Sequence, residues 1–180
     1  MSDNIGATPG RAPLSSSGPQ GQVGRREQMW DRVAGIAGLL FVALILASFF
    51  TPEYPDLDDS ADDIAAQLTA DRSTHLTTLF LGIFGFLFLA VFISGLWSRF
   101  RRWEGFAGMF ATLFLVGGTA LLAGFIVNDG ISLAYIQYGS SDNPDPGALR
   151  ALAVLVEWVF GALLSAFATM FLGAAGVILT

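Results

Sequence analysis

Three ionisable side chains stand inside or beside long apolar runs, where a charge has the most chemical leverage: His75, Asp129 and Glu157. Glu157 is the only carboxylate within such a run. A titratable group among hydrocarbon is costly, so by default it marks proton or cation coupling. Gly161, Ser165, Thr169 and Gly173 follow it at four-residue intervals, and small residues at that spacing let helices approach closely. The i+4 track drifts around a helix. Glu157, Gly161 and Ser165 therefore share a face best, and that face is expected to turn the carboxylate into a helix bundle. The competing reading is structural. Trp158 adjoins Glu157, and counting back about twenty residues from Thr180 puts the membrane boundary near Phe160. At that depth Glu157 is an interfacial carboxylate paired with Arg150, seven residues earlier on the same face. The depth argument favours this second reading.

His75 is the single histidine. Haem held between spans wants paired axial ligands, which one histidine does not supply. Zinc would need Asp129 or Glu157 as further ligands, and their spacing does not argue for it. A histidine that starts a helix at the headgroup boundary is the simpler reading. Together, His75, Asp129 and Glu157 are also the acid and base groups that a lipid-headgroup enzyme at the outer interface would use.

Other reactive constellations are missing from the sequence. It has no G-x-x-x-x-G-K-[ST], G-x-S-x-G or H-E-x-x-H pattern. It has no cysteine, which removes disulfides, thiolate metal sites and cysteine nucleophiles together. The acidic stretch from Asp56 invites a calcium-loop reading, but its sixth and twelfth places hold Ala61 and Gln67 where Gly and Glu are required. No cofactor or metal is expected. All nine basic residues are Arg, and they cluster beside apolar runs. No basic-aromatic surface emerges, so nucleic acid is not an expected partner. The absence of lysine and the abundance of Ala and Gly suit a high-GC bacterial genome.

The elements that must position these residues are four apolar runs: 33–50, 76–97, 105–127 and a stretch within 148–180. A hydrocarbon core about 30 Å thick takes roughly twenty helical residues to cross. Apolar residues make up 53% of the chain and charged residues 13%, a balance that suits a small membrane bundle and not a soluble domain. The spans are placed at about 31–50, 76–97, 105–127 and 158–179. Residues 1–29 are rich in Gly, Pro and Ser and read as a disordered tail. The first run exceeds a signal-peptide core and lacks a small-x-small cleavage site, so an uncleaved anchor is expected.

Arginine counts set the orientation. Arg11, Arg25, Arg26 and Arg32 precede the first span, and Arg99, Arg101 and Arg102 fill the second loop. The first and third loops are acidic. Both termini are thus expected in the cytoplasm, and the acidic loops outside. Trp30, Trp97 and Trp103 then fall at the inner interface, with Tyr54, Tyr135, Tyr138 and Trp158 at or beyond the outer one. In the first outer loop, Ser60 and Asp63 form a capping box, and Ala61, Ile64, Ala65 and Leu68 make an amphipathic stripe. A short helix at about 60–71 is expected there, on the membrane surface or over the bundle. The third helix is expected to continue past Gly130 and project outward, with Pro144 and Pro146 marking the turn. Phe80, Phe84, Phe88 and Phe92 form an i+4 stripe that reads as lipid contact or packing, and Gly105, Gly108, Thr112, Thr119 and Ala123 as a close-packing face.

The segment Arg32-Val33-Ala34-Gly35-Ile36-Ala37-Gly38-Leu39-Leu40-Phe41, the acidic loop from Asp58 to Ala66 and the hairpin from Arg99 to Arg102 resemble a group of uncharacterised membrane proteins of high-GC Gram-positive bacteria. The resemblance runs from about Arg32 onward. It implies a multi-spanning fold and supplies no catalytic or binding residues. Members of that group often continue into further spans, so a shortened member is one expectation for a chain ending at Thr180.

The combined expectation is an all-α integral membrane protein: a four-transmembrane-helix bundle with a short outer amphipathic helix and a disordered N-terminal tail. Its partners are the lipid bilayer and a membrane-protein partner or further copies of itself. The expected role is structural or accessory and not enzymatic. A small ion-coupled carrier using Glu157 is the alternative.

Overall fold

A computed structural model describes residues 19–48, 50, 54–105 and 108–179. Its elements, in chain order, are α1 (Pro19–Ser48), α2 (Ala61–Ala70), α3 (Arg72–Glu104), α4 (Met109–Gly139) and α5 (Pro146–Leu179). The four long helices each have the length and apolar composition to cross a membrane. Residues 1–18 of the expected tail lie outside the described residues. The remainder of that expected tail, 19–29, is helical, because α1 begins at Pro19. Extending an existing helix costs far less than nucleating one, and Arg25, Glu27, Gln28 and Met29 are good helix formers.

The later helices also overrun the expected spans. At about 1.5 Å per residue, the 33 residues of α3 are roughly 50 Å long, well beyond a 30 Å core. α4 runs through Gly130 without a break, and α5 starts at Pro146, where proline suits the first helical turn. α4 begins at Met109 and not at 105. The intervening hairpin uses Gly105 and Gly108 at φ 75° and 50°, where side-chain-bearing residues are strained. Glu104 caps α4 across this hairpin: the amides of Phe110 and Ala111 donate to its two carboxylate oxygens at 2.8 and 2.7 Å.

The long helices pack in chain order, α1 on α3, α3 on α4 and α4 most extensively on α5. Glycines set the close approaches. A Cβ at Gly117 would strike the Met170 backbone, and one at Gly173 the backbone of Phe114. Gly95 receives Ala34 of α1, and Gly118 receives Ile93 of α3. One core of Leu89, Ile93, Phe114, Leu121 and Leu163 fills the bundle between these helices. Among the described residues α1 packs on α3, leaving an apolar groove of about 430 Å³ between α1 and α5, with Leu121 on its floor.

A second core lies at the opposite end from the arginines. There α2 lays Ile64 and Leu68, both fully buried, onto Leu79, Tyr135, Ile136 and Leu149 from the overrunning ends of α3, α4 and α5. The Asp63 amide donates to Ser60 Oγ at 3.2 Å, and the Ser60 hydroxyl donates to the Asp63 carboxylate at 2.6 Å, fixing the start of α2. This helix covers the bundle end, with its acidic residues Asp62 and Asp63 turned outward.

Candidate functional site

Between the two cores, a cavity of about 340 Å³ lies where α1, α3, α4 and α5 come together. Besides Ser48, Tyr54 and Thr78, its polar lining comes from α4, through Asn128, Asp129 and Ser132. Spacing of three to four residues places these, with Tyr135, on one side of a helix. Four aromatic side chains also line it: Tyr54 from the loop before α2, Phe86, Phe125 and Phe160. Phe86 and Phe125 stack at 4.8 Å between ring centroids. α5 contributes Val156 and Phe160 to the cavity, the residues on either side of Glu157 and Trp158.

Tyr54 organises the polar end. Its ring lies parallel to that of His75, with centroids 4.9 Å apart, and is tilted against Tyr135 at 5.9 Å. Burial pushes the Tyr54 hydroxyl above the ordinary tyrosine range; its hydrogen bond with Ser132 opposes this and the Asp129 charge adds to it. Tyr54 therefore keeps its proton at neutral pH and remains a donor. The Asn128 side chain offers Asp129 a hydrogen bond, but Asp129 Oδ2 is buried without a partner. Among the described residues the buried side-chain polar atoms without partners are Trp97 Nε1, Asp129 Oδ2 and Tyr135 Oη, so two of the three fall in this cluster. Such atoms are costly to leave unpaired, and each calls for an explanation.

Of the residues singled out from the sequence, His75 and Asp129 come into this neighbourhood through Tyr54. His75 lies in the first turn of α3, where its ring is buried and stacked on Tyr54. Glu157 does not join them. It is exposed on the outside of α5, as are Gly161 and Ser165. A Cβ at Gly161 would meet nothing within 4 Å. The expectation that this face turns Glu157 into the bundle is therefore corrected: the inward face of α5 is Leu163, Ala166, Met170, Gly173 and Val177. The reason is rotational. The i+4 track drifts, so Gly173 reaches α4 while Gly161, three turns earlier, faces away. Thr169 is half-buried between them. Arg150 and Glu157 make no ion pair; among the described residues the ion pair is Arg102–Asp31, at 3.2 Å near the other end.

The small-residue series on α4 is likewise rotated. Thr112, Thr119 and Ala123 are exposed, and Gly117, Gly118 and Gly124 make the close approaches. Among the described residues, His and acidic groups nowhere gather in threes as a metal site would need. Tyr54, Ser132 and Tyr135 are the site residues missed from the sequence. The spacing Asp129, Ser132, Tyr135 on a continuous helix was a legible signal for two of them. Tyr54 had none, because its position depends on how the loop before α2 folds back. No family model, curated protein or solved structure matches this chain.

Proposed function

We propose that this chain is a multi-pass cell-membrane protein with both termini in the cytoplasm, and that it works as a non-enzymatic accessory or interaction subunit through the outer face of α5. The observation that carries this reading is the exposed set Glu157, Gly161 and Ser165. A carboxylate on the flank of an apolar helix is costly against lipid and gains from a partner that supplies a donor or a cation. The open surface at Gly161 leaves room for the backbone of another helix to approach. The arginine-rich end belongs inside by the positive-inside rule, which puts α2 and its acids outside.

A carrier working through Glu157 has less support, since the neighbouring cavity is lined by Val156 and Phe160 instead. The headgroup-enzyme reading loses its third member for the same reason.

The test is purification of the tagged full chain from its native membrane in mild detergent, with mass spectrometry and a native mass. A stoichiometric partner or a defined homo-oligomer is expected. Gly161→Leu or Ser165→Leu should weaken that assembly by about 1–2 kcal/mol, roughly five- to thirtyfold, and more than Glu157→Gln does. Equal tolerance of all three substitutions would count against the α5 surface.

A further inference from the structure

We propose that the cavity beside Asp129 is a binding site for a small alkylammonium group, either a free amine or the same group on a phospholipid headgroup. This inference is independent of the α5 surface. It starts from charge. Among the described residues, Asp129 is the acidic residue lining the cavity, and no arginine lines it. Arg72, at the start of α3, donates to the Gln137 amide oxygen at 2.6 Å, and His75 stacks its ring on Tyr54. A carboxylate with one oxygen buried and unpartnered is poorly compensated as it stands, and an entering cation supplies what it lacks.

The walls decide which kind of cation. Hard metal ions want several oxygen ligands in a defined shell. Among the described residues the lining offers a single carboxylate, with neutral oxygens such as those of Asn128 and Ser132, beside the rings of Tyr54, Phe86, Phe125 and Phe160. Aromatic faces attract ammonium groups through the ring quadrupole, and that attraction strengthens when water is excluded. Tyr54 and Ser132 add hydroxyls beside the carboxylate, able to orient a primary amine or a hydroxyl-bearing ammonium. The volume, about 340 Å³, lies at the small end of the range for ligand sites and suits a headgroup-sized cation. Position points the same way. Ile45 and Ser48 of α1 and Phe160 of α5 border the cavity, and among the described residues α1 does not pack on α5. The site therefore lies in the gap between those helices, on the α2 side of the bundle.

The test uses the purified full chain in detergent, titrated by calorimetry with choline and with 3,3-dimethylbutanol, the uncharged isostere. Choline is expected to bind saturably, at least about tenfold more tightly than the isostere. Asp129→Asn should abolish that preference and Asp62→Asn, on the outward side of α2, should preserve it. Equal binding of the two probes overturns the proposal, as does an undiminished preference in Asp129→Asn or an equal heat from sodium chloride. Should Asp129→Asn fail to fold, the two-probe comparison on the unaltered chain still decides. Native mass spectrometry then assigns the source. Retention of phosphatidylethanolamine or phosphatidylcholine over phosphatidylglycerol, displaced by choline, indicates a headgroup; choline binding without lipid preference indicates a free amine.

Discussion

Carboxylates that look equivalent along the chain play unlike parts. Glu157 stands out in an apolar run, yet it ends on the outer surface. Asp129, between Asn128 and Gly130, sits within a helix that runs on past Gly130 and lines a cavity. Glu104 ends α3 and caps α4 with both oxygens. Its loss is the cleanest single-residue prediction. Glu104→Ala leaves two amides at the start of α4 without their acceptor and removes a negative charge from the positive end of the helix dipole. A destabilisation of about 1–2 kcal/mol is expected, a Tm lower by roughly 2–8 °C in detergent. Differential scanning fluorimetry of the purified chain reads this directly, and an unchanged Tm would remove the cap from the account.

Helices in this protein are joined by where their glycines fall, not by how many there are. Gly117 and Gly173 sit where a methyl group would meet neighbouring backbone, which cannot step aside as a flexible side chain can. Gly161 faces open space. Gly117→Ala and Gly173→Ala should each cost about 1–3 kcal/mol through overpacking of the α4–α5 pair. Gly161→Ala should leave the stability of the single chain intact. Comparing the three by thermal unfolding tests the rotation of α5 about its own axis, because a helix turned by half a revolution would reverse the order. The amphipathic stripe of α2 was legible in the sequence, since its period and its Ser60 cap are local properties. The inward face of α5 was not legible. An all-round apolar helix carries little periodic signal, and its orientation is chosen by its neighbours.

At the scale of the whole molecule, two packed cores lie end to end: a bundle core built by α3, α4 and α5, with α1 laid against α3, and a cap core under α2. The cap exists because α3, α4 and α5 are longer than a bilayer requires, and their overrunning ends need apolar cover. The orientation proposed above places this cap outside the cell. A chain without cysteine makes that easy to test. Single cysteines at the exposed positions Asp62, on α2, and Ser98, near the arginines, should behave oppositely towards a membrane-impermeant maleimide. The cysteine replacing Asp62 should react in intact cells, and the one replacing Ser98 only after permeabilisation. The reverse pattern would invert the topology.

Composition, run length and arginine distribution are one-dimensional properties, and they suffice for four apolar helices, a capped amphipathic helix and an expected orientation. Solvent class and local hydrogen bonding act on each segment separately, so no knowledge of its neighbours is needed. Contacts between segments are another matter. Which glycine meets which backbone, and whether Glu157 or Asp129 faces a cavity, depends on helix rotation. So does the approach of Tyr54 to His75, Ser132 and Asp129 from a loop far away in sequence. In uniformly apolar helices that rotation is fixed by side-chain packing between them, a property of pairs of helices that the tertiary structure alone decides.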